Sequence, residues 1–189
     1  MIELKPVNGV SIHPTARIAK NASLLNDVRI GADVSIWPGV VARGDHHEIV
    51  IGDGSNVQDN AIIHESHDSS TVIGENVTIG HGAIIHGCTI GDNCIIGMGS
   101  VIMDNAVIGE NCLIGAGAVV SKNVNIPANS VVMGLPGKVR REMTAEEIAY
   151  NAYSAKEYQE CSRTMVDEGV FWWGKDVPED LPLIRLKRD

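Results

Sequence analysis

The sequence predicts an all-β protein, a parallel β-helix of hexapeptide repeats closed by one C-terminal α-helix. Three observations carry this. First, an apolar residue returns every six positions at Ile73, Ile79 and Ile85. After one hexad loses a residue, the series continues at Ile90, Ile96, Ile102, Ile108, Ile114 and Val120. Second, a small or branched residue follows four places later, at Val77, Ala83, Cys94, Ser100, Ala106, Cys112 and Ala118. Third, the chain is 44% hydrophobic but only 4% aromatic, so Ile and Val must build the core, which suits β-branched strands in stacked layers. Self-similarity at a fixed six-residue period is the mark of a β-helical solenoid.

The clock starts early. Ile12, Ile18, Leu24, Ile30 and Ile36 are its first apolar positions, and Ala16, Ala22, Val28, Val34 and Val40 fill the small slots. Arg43-Gly44-Asp45-His46-His47-Glu48 then interrupts, and the pattern resumes out of step at Ile51, Val57 and Ile63. A second break, Glu65 to Ser70, is wholly polar and reads as a protruding loop. From Ile90 the period runs to Ile126 and Val132. Irregularities on a rigid repeat scaffold are where function tends to sit.

After Gly134-Leu135-Pro136-Gly137 the period changes. Thr144-Ala145-Glu146-Glu147 is a capping box. Ile148, Ala152, Ala155, Cys161 or Ser162, and Met165 follow a helical stripe, and Gly169 ends it. A helix cannot bury such a stripe alone, so it should lie along the solenoid or a neighbouring subunit. The division expected is a solenoid over 1–137, a helix packed on it over 138–169, and an extended tail over 170–189. The tail carries Trp172, Trp173 and Leu181-Pro182-Leu183.

A net charge of −9 without a basic cluster argues against nucleic acid. The opening MIELKPVNGV has no apolar core of a signal peptide, and no apolar run approaches ~18 residues. A soluble, cytoplasmic protein without membrane contact is expected. Cys94 and Cys112 share the small inward slot three hexads apart. They should stack on neighbouring layers as reduced core thiols, since no CxxC spacing supports a thiolate zinc cluster.

Two of the seven histidines fall into register. Counting hexads through 63, 73, 79 and 85, with the loop absorbed, makes one full turn. His64 and His86 therefore occupy equivalent positions on adjacent layers, about 4.8 Å apart in backbone, and both rings can bind one ion. His81 lies five residues before His86, roughly 16 Å away if extended, and an odd separation points it elsewhere. It joins the pair only from another copy in a threefold assembly. Three neutral imidazoles with one remaining water position make a catalytic zinc arrangement. Gln58 lies six residues before His64, and its amide can orient a metal-bound hydroxide. Arg43 with Asp45 or Asp59 can form a clamp between subunits.

With RGD at 43–45, NVQD at 56–59, IIH at 62–64 and TIGHGAIIHGCTIGDNCIIGMGSVIMDNAVIG at 78–109, residues 10 to about 160 resemble the γ-class carbonic anhydrase family. Within it, the chain is similar to short-loop members, including those encoded with phenylacetate and carnitine metabolism. The resemblance implies a left-handed β-helix, a homotrimer and metal at the subunit interfaces. It places the metal ligands on His64, His81 and His86, the glutamine beside the metal on Gln58, and the interface arginine and aspartates on Arg43, Asp45 and Asp59. The long acidic loop of the archetype, with its proton-shuttling glutamate, is reduced here to Glu65-Ser66-His67-Asp68-Ser69-Ser70, and His46 replaces an acidic residue after the RGD-like aspartate.

Three activities stay open at this point. The first is carbonate dehydratase activity, in which a zinc hydroxide attacks CO2 to give bicarbonate, Gln58 orients, and His67 or Glu65 relays the proton; Fe2+ or Co2+ can take the place of Zn2+. The second is hydrolysis of an acyl-CoA thioester by the same nucleophile. The third is acyl transfer of the hexapeptide acyltransferase kind, which three histidines in a metal register disfavour. A CoA substrate would call on Lys138, Arg140 and Arg141 for its phosphates.

Overall fold

The protein is seen in a computed structural model that describes residues 9–178. Its strands stack in parallel on three faces of a prism. The second face is the simplest, with Arg17–Ala19, Ser35–Ile36, Asn56–Val57, Thr78–Ile79, Ile95–Ile96, Leu113–Ile114 and Ser130–Met133 in order along the axis. The first face ends in Thr71–Ile73, Thr89–Ile90, Val107–Ile108 and Asn125–Ile126. The third carries Ile62–His64, Ile84–His86, Val101–Ile102 and Val119–Val120.

The periodic residues point inward on every layer. Ile18, Ile36, Val57, Ile79, Ile96 and Ile114 are fully enclosed, as are the small-slot residues Ala16, Val34, Val77, Cys94 and Cys112. Enclosing one such aliphatic side chain contributes about 1.5–3 kcal/mol. The two cysteines stack as expected, with the Cys112 amide donating to Cys94 Sγ at 3.3 Å, and both are free thiols. Burial pushes the nearby Cys88 thiol up to about 12. Corners are turned by Asn60, Asn76, Asn93, Asn105, Asn111, Asn123 and Asn129 at φ 53–60°, a conformation asparagine tolerates better than most residues.

The break at residues 43–48 is not a loop. Val41–Ile51 is one long strand that starts on the third face and finishes on the first, beside the equally continuous Ser23–Ile30. Extra residues are absorbed as a bulge between Asn26 and Val28. Gly44 is needed there, because a Cβ would meet Asp27 O at 2.6 Å and His47 O at 2.9 Å.

The helix spans Ala145–Asp167 with the Thr144/Glu147 capping box formed, and it covers the second face. The expected stripe needs correction. Ala152 and Cys161 are exposed, whereas Asn151, Ser154, Ala155 and Ser162 are buried. The helix docks through Ala155, Ser162 and Met165 of the expected stripe, with Val166 beside them, and also by hydrogen bonds to corner carbonyls. Asn151 Nδ2 donates to Asn93 O and Cys112 O, and Gln159 Nε2 donates to Gly54 O. After Gly169 the chain forms Phe171–Trp173, antiparallel to Arg17–Ala19 on the second face. Phe171 and Tyr158 both meet the Trp37 ring edge-on. Leu181-Pro182-Leu183 lie outside the described residues.

Candidate metal centre

The register of the third face sets the site. His64 pairs with His86 in the ladder, as the hexad count requires. Their rings face each other with His64 Nδ1 and His86 Nε2 3.1 Å apart. His81 sits at the opposite edge of the same face, where the backbone amide of Gly82 bonds Asp59 O in the layer before. Between the two edges run the outward side chains of Ile62 and Ile84, 38% and 41% exposed.

Each of these histidines has one ring nitrogen on a carboxylate. His64 Nε2 lies 3.1 Å from Asp45 Oδ2, His81 Nδ1 lies 2.9 Å from Asp59 Oδ2, and His86 Nδ1 bonds Asp104 Oδ1. A carboxylate accepts, so the nitrogen facing it carries the proton and the other is left with a lone pair. The consequence at the His64–His86 pair is specific. With both rings neutral, two lone pairs meet across 3.1 Å, and a ring can donate across the gap only by taking up a second proton or giving up its carboxylate. A cation bound by both nitrogens removes that conflict, so the donor set fits a metal of the zinc class, which favours imidazole nitrogen.

Supporting groups surround the pair. Arg43 bonds Asp45 Oδ2, and Asn26 Nδ2 donates to Asp45 Oδ1 at 2.8 Å. Burial pushes the Asp45 carboxyl up, but the His64 hydrogen bond, the Arg43 charge and the Asn26 amide together hold it below the usual carboxylate range. Asp104 is also held low, first by the Lys122 hydrogen bond, against burial, and with help from His86.

Glu65 is not on a protruding loop. It is fully buried, and its Oε1 accepts the backbone amides of Asp45 and His46 at 2.8 Å each. It pins the long strand to the His64 layer. Ligand atoms of Asp45, His64 and Glu65 also converge within 4.8 Å of one another. Arg43 already places a cation on Asp45 there, and Glu65 Oε1 is occupied by backbone. His67 is exposed, and its ring stacks on His46 at 4.9 Å, while His47 Nε2 donates to the His67 carbonyl at 3.0 Å. Gln58 is buried at the His81 edge, and its Nε2 donates to Asn56 Oδ1 at 3.3 Å, not to His64. Arg141 is engaged by both Glu147 oxygens at 2.7 Å, so of the three cations offered for a CoA site, Lys138 and Arg140 remain.

Sequence reasoning missed Asp104 and Lys122. Lys122 lies three hexads after Asp104, but the shortened hexad before Ile90 pairs Ile85 with Ile102, so counting from His86 leads to Met103, and only the fold brings Asp104 to the ring.

The deciding comparison is with a protein named probable carbonic anhydrase from Methanocaldococcus jannaschii. It is 52% identical over 154 residues, which cover 82% of this chain and 97% of that one. The chain belongs to the γ-class carbonic anhydrase family. Gamma carbonic anhydrase 2, mitochondrial, of Arabidopsis thaliana is 43% identical over 147 residues, and the match spans 75% of this chain but 53% of that longer protein. The profile of the bacterial transferase hexapeptide (six repeats) matches residues 70–103 and 87–122. Among solved structures, a hexapeptide transferase family protein from Anaplasma phagocytophilum superposes with a TM-score of 0.79 at 44% identity, covering 82% of this chain and 92% of that one. No helix among the described residues is long and apolar enough to cross a membrane.

Proposed function

We propose that this protein is a metal-dependent carbonate dehydratase whose site is shared between subunits of a homotrimer. The observation that carries the reading is the His64–His86 pair, two carboxylate-anchored imidazoles meeting lone pair to lone pair. A zinc ion held there would act as a Lewis acid that brings the pKa of a bound water toward neutrality. His81 is five residues from His86, at the far edge of the third face, so its Nε2 completes the set only from a neighbouring subunit. The Ile62 and Ile84 ladder between the edges supplies an apolar surface that such an interface would cover. Asp45 and Asp59 fix the tautomers of His64 and His81, and Arg43 holds Asp45 in place.

Gln58 lies at the His81 edge and so reaches the site with His81. Its carbonyl oxygen accepts a hydrogen bond from the attacking nucleophile and aims it at CO2. Glu65 is enclosed, with its Oε1 on two backbone amides, whereas the stacked His67 and His46 rings stand at the surface, so proton export is assigned to these imidazoles, which suit transfer near neutral pH. A second reading, acyl-CoA hydrolysis or acyl transfer, draws on the transferase name of the solved neighbour. Metal analysis with a stopped-flow CO2-hydration assay separates the two. The carbonate dehydratase reading expects stoichiometric metal and hydration that speeds up with added imidazole buffer. A metal-loaded protein that turns over acyl-CoA and leaves CO2 untouched would reverse the preference.

A further inference from the structure

Of the three carboxylates on the candidate ligands, Asp104 is the one no resemblance assigns. Its geometry is also the most restrictive. One oxygen bonds His86 Nδ1, the other bonds Lys122 Nζ, and the Asp104 side chain is only 14% exposed. With both oxygens engaged, swinging away from the imidazole would cost the carboxylate both contacts. The strands that precede these residues stack in parallel, Ile84–Ile85 on Val101–Ile102 and these on Val119–Val120, so the three lie at one edge of successive layers.

A neutral imidazole released from this contact has two tautomers and a free ring rotation. One of those tautomers puts a proton on Nε2, the atom that faces His64 Nδ1 at 3.1 Å. That form cannot ligate a metal through Nε2. A carboxylate locked on Nδ1 removes it and raises the basicity of Nε2. We propose that Asp104, clamped by Lys122, is a positioning residue that keeps the His86 proton on Nδ1 and presents Nε2 as the metal-binding atom. The proposal rests on the reading of His64, His81 and His86 as metal ligands.

The test measures zinc affinity of the full chain by competition with a chromophoric chelator, and the visible spectrum of the cobalt-substituted protein. Asp104→Asn should bind zinc about 10- to 100-fold more weakly and shift the cobalt bands, with an unchanged circular dichroism spectrum. Lys122→Met should move both in the same direction by less. Asp104→Glu should recover part of the affinity, which a purely structural carboxylate would not do. Wild-type affinity and cobalt spectrum in Asp104→Asn, alongside metal loss in His86→Ala, would overturn the role of Asp104 and leave the triad intact. Full metal retention in His86→Ala would overturn the triad and this proposal with it. Were Asp104→Asn unable to fold, unchanged affinity in both Lys122→Met and Asp104→Glu would overturn the clamp.

Discussion

The layers from Ile90 to Val132 and those from Val41 to Ile90 share one core but not one surface. In the first region the clock never slips and every periodic residue is enclosed, and its outward Asp104 and Lys122 reach the candidate site from regular layers. In the second, the long strand Val41–Ile51, the loop after His64 and the shortened hexad before Ile90 all break the period. Yet Ile51, Val57, Ile63, Ile73, Ile79 and Ile85 remain as buried as their regular counterparts. The difference teaches that the inward residues hold the solenoid while the insertions act only on what faces outward. They bring Arg43, Asp45 and Glu65 against His64 without disturbing the layer beneath.

Variants break or sharpen this contrast. Ile96→Ala, in the regular region, removes a fully buried side chain and should cost about 2–5 kcal/mol in urea unfolding. Metal content at low temperature should stay unchanged. Equal loss of metal would mean that the two regions are not separable.

Next in size, His67→Ala should slow CO2 hydration about 100-fold at most in weak buffer, the lower end of what general acid–base groups contribute, and hardly at all in strong imidazole buffer. A rate independent of buffer in both proteins would remove the shuttle. Gln58→Ala should retain its metal and lose turnover; loss of the metal would make Gln58 structural.

A smaller effect is expected at the helix, far from the irregular layers. Thr144→Ala removes the cap on Glu147 N and should cost about 1 kcal/mol. The smallest is a pH effect. The Arg141 hydrogen bonds, with the Thr144 amide, hold the Glu147 carboxyl at about 2, below the ordinary value of about 4.3. A lowered carboxyl stabilises the fold above its unfolded value and loses that contribution as pH falls through the folded one. Glu147→Gln should therefore flatten the decline in helix stability between about pH 4 and 2, read by thermal melts in a pH series.

The core of this molecule was legible because inward positions obey a period. Ile18, Ile63 and Ile114 could be placed by counting, and so could the His64–His86 pair once the loop was set aside. The helix face was legible only in part: Ala155 and Met165 pack as the stripe requires, but Asn151 and Gln159 reach for corner carbonyls, which hydrophobic periodicity does not reveal. Glu65 looked like loop because it is charged and lies in a polar run, and only the fold reveals the two amides that enclose it. Lys122 was countable from Asp104, but the shortened hexad puts Met103, not Asp104, in step with His86, and aspartate and lysine on a solenoid surface are commonplace.

The shared site is the central claim, and mixed trimers test it most directly. His81→Ala subunits and His86→Ala subunits would each be prepared metal-free, unfolded together, refolded as a mixture and assayed for tightly bound zinc. The account predicts almost no zinc in either parent and clear recovery in the mixture, because one kind of mixed interface joins an intact His64–His86 pair to an intact His81. A mixture that binds no more zinc than its parents, with mixed trimers verified by mass spectrometry, would contradict it.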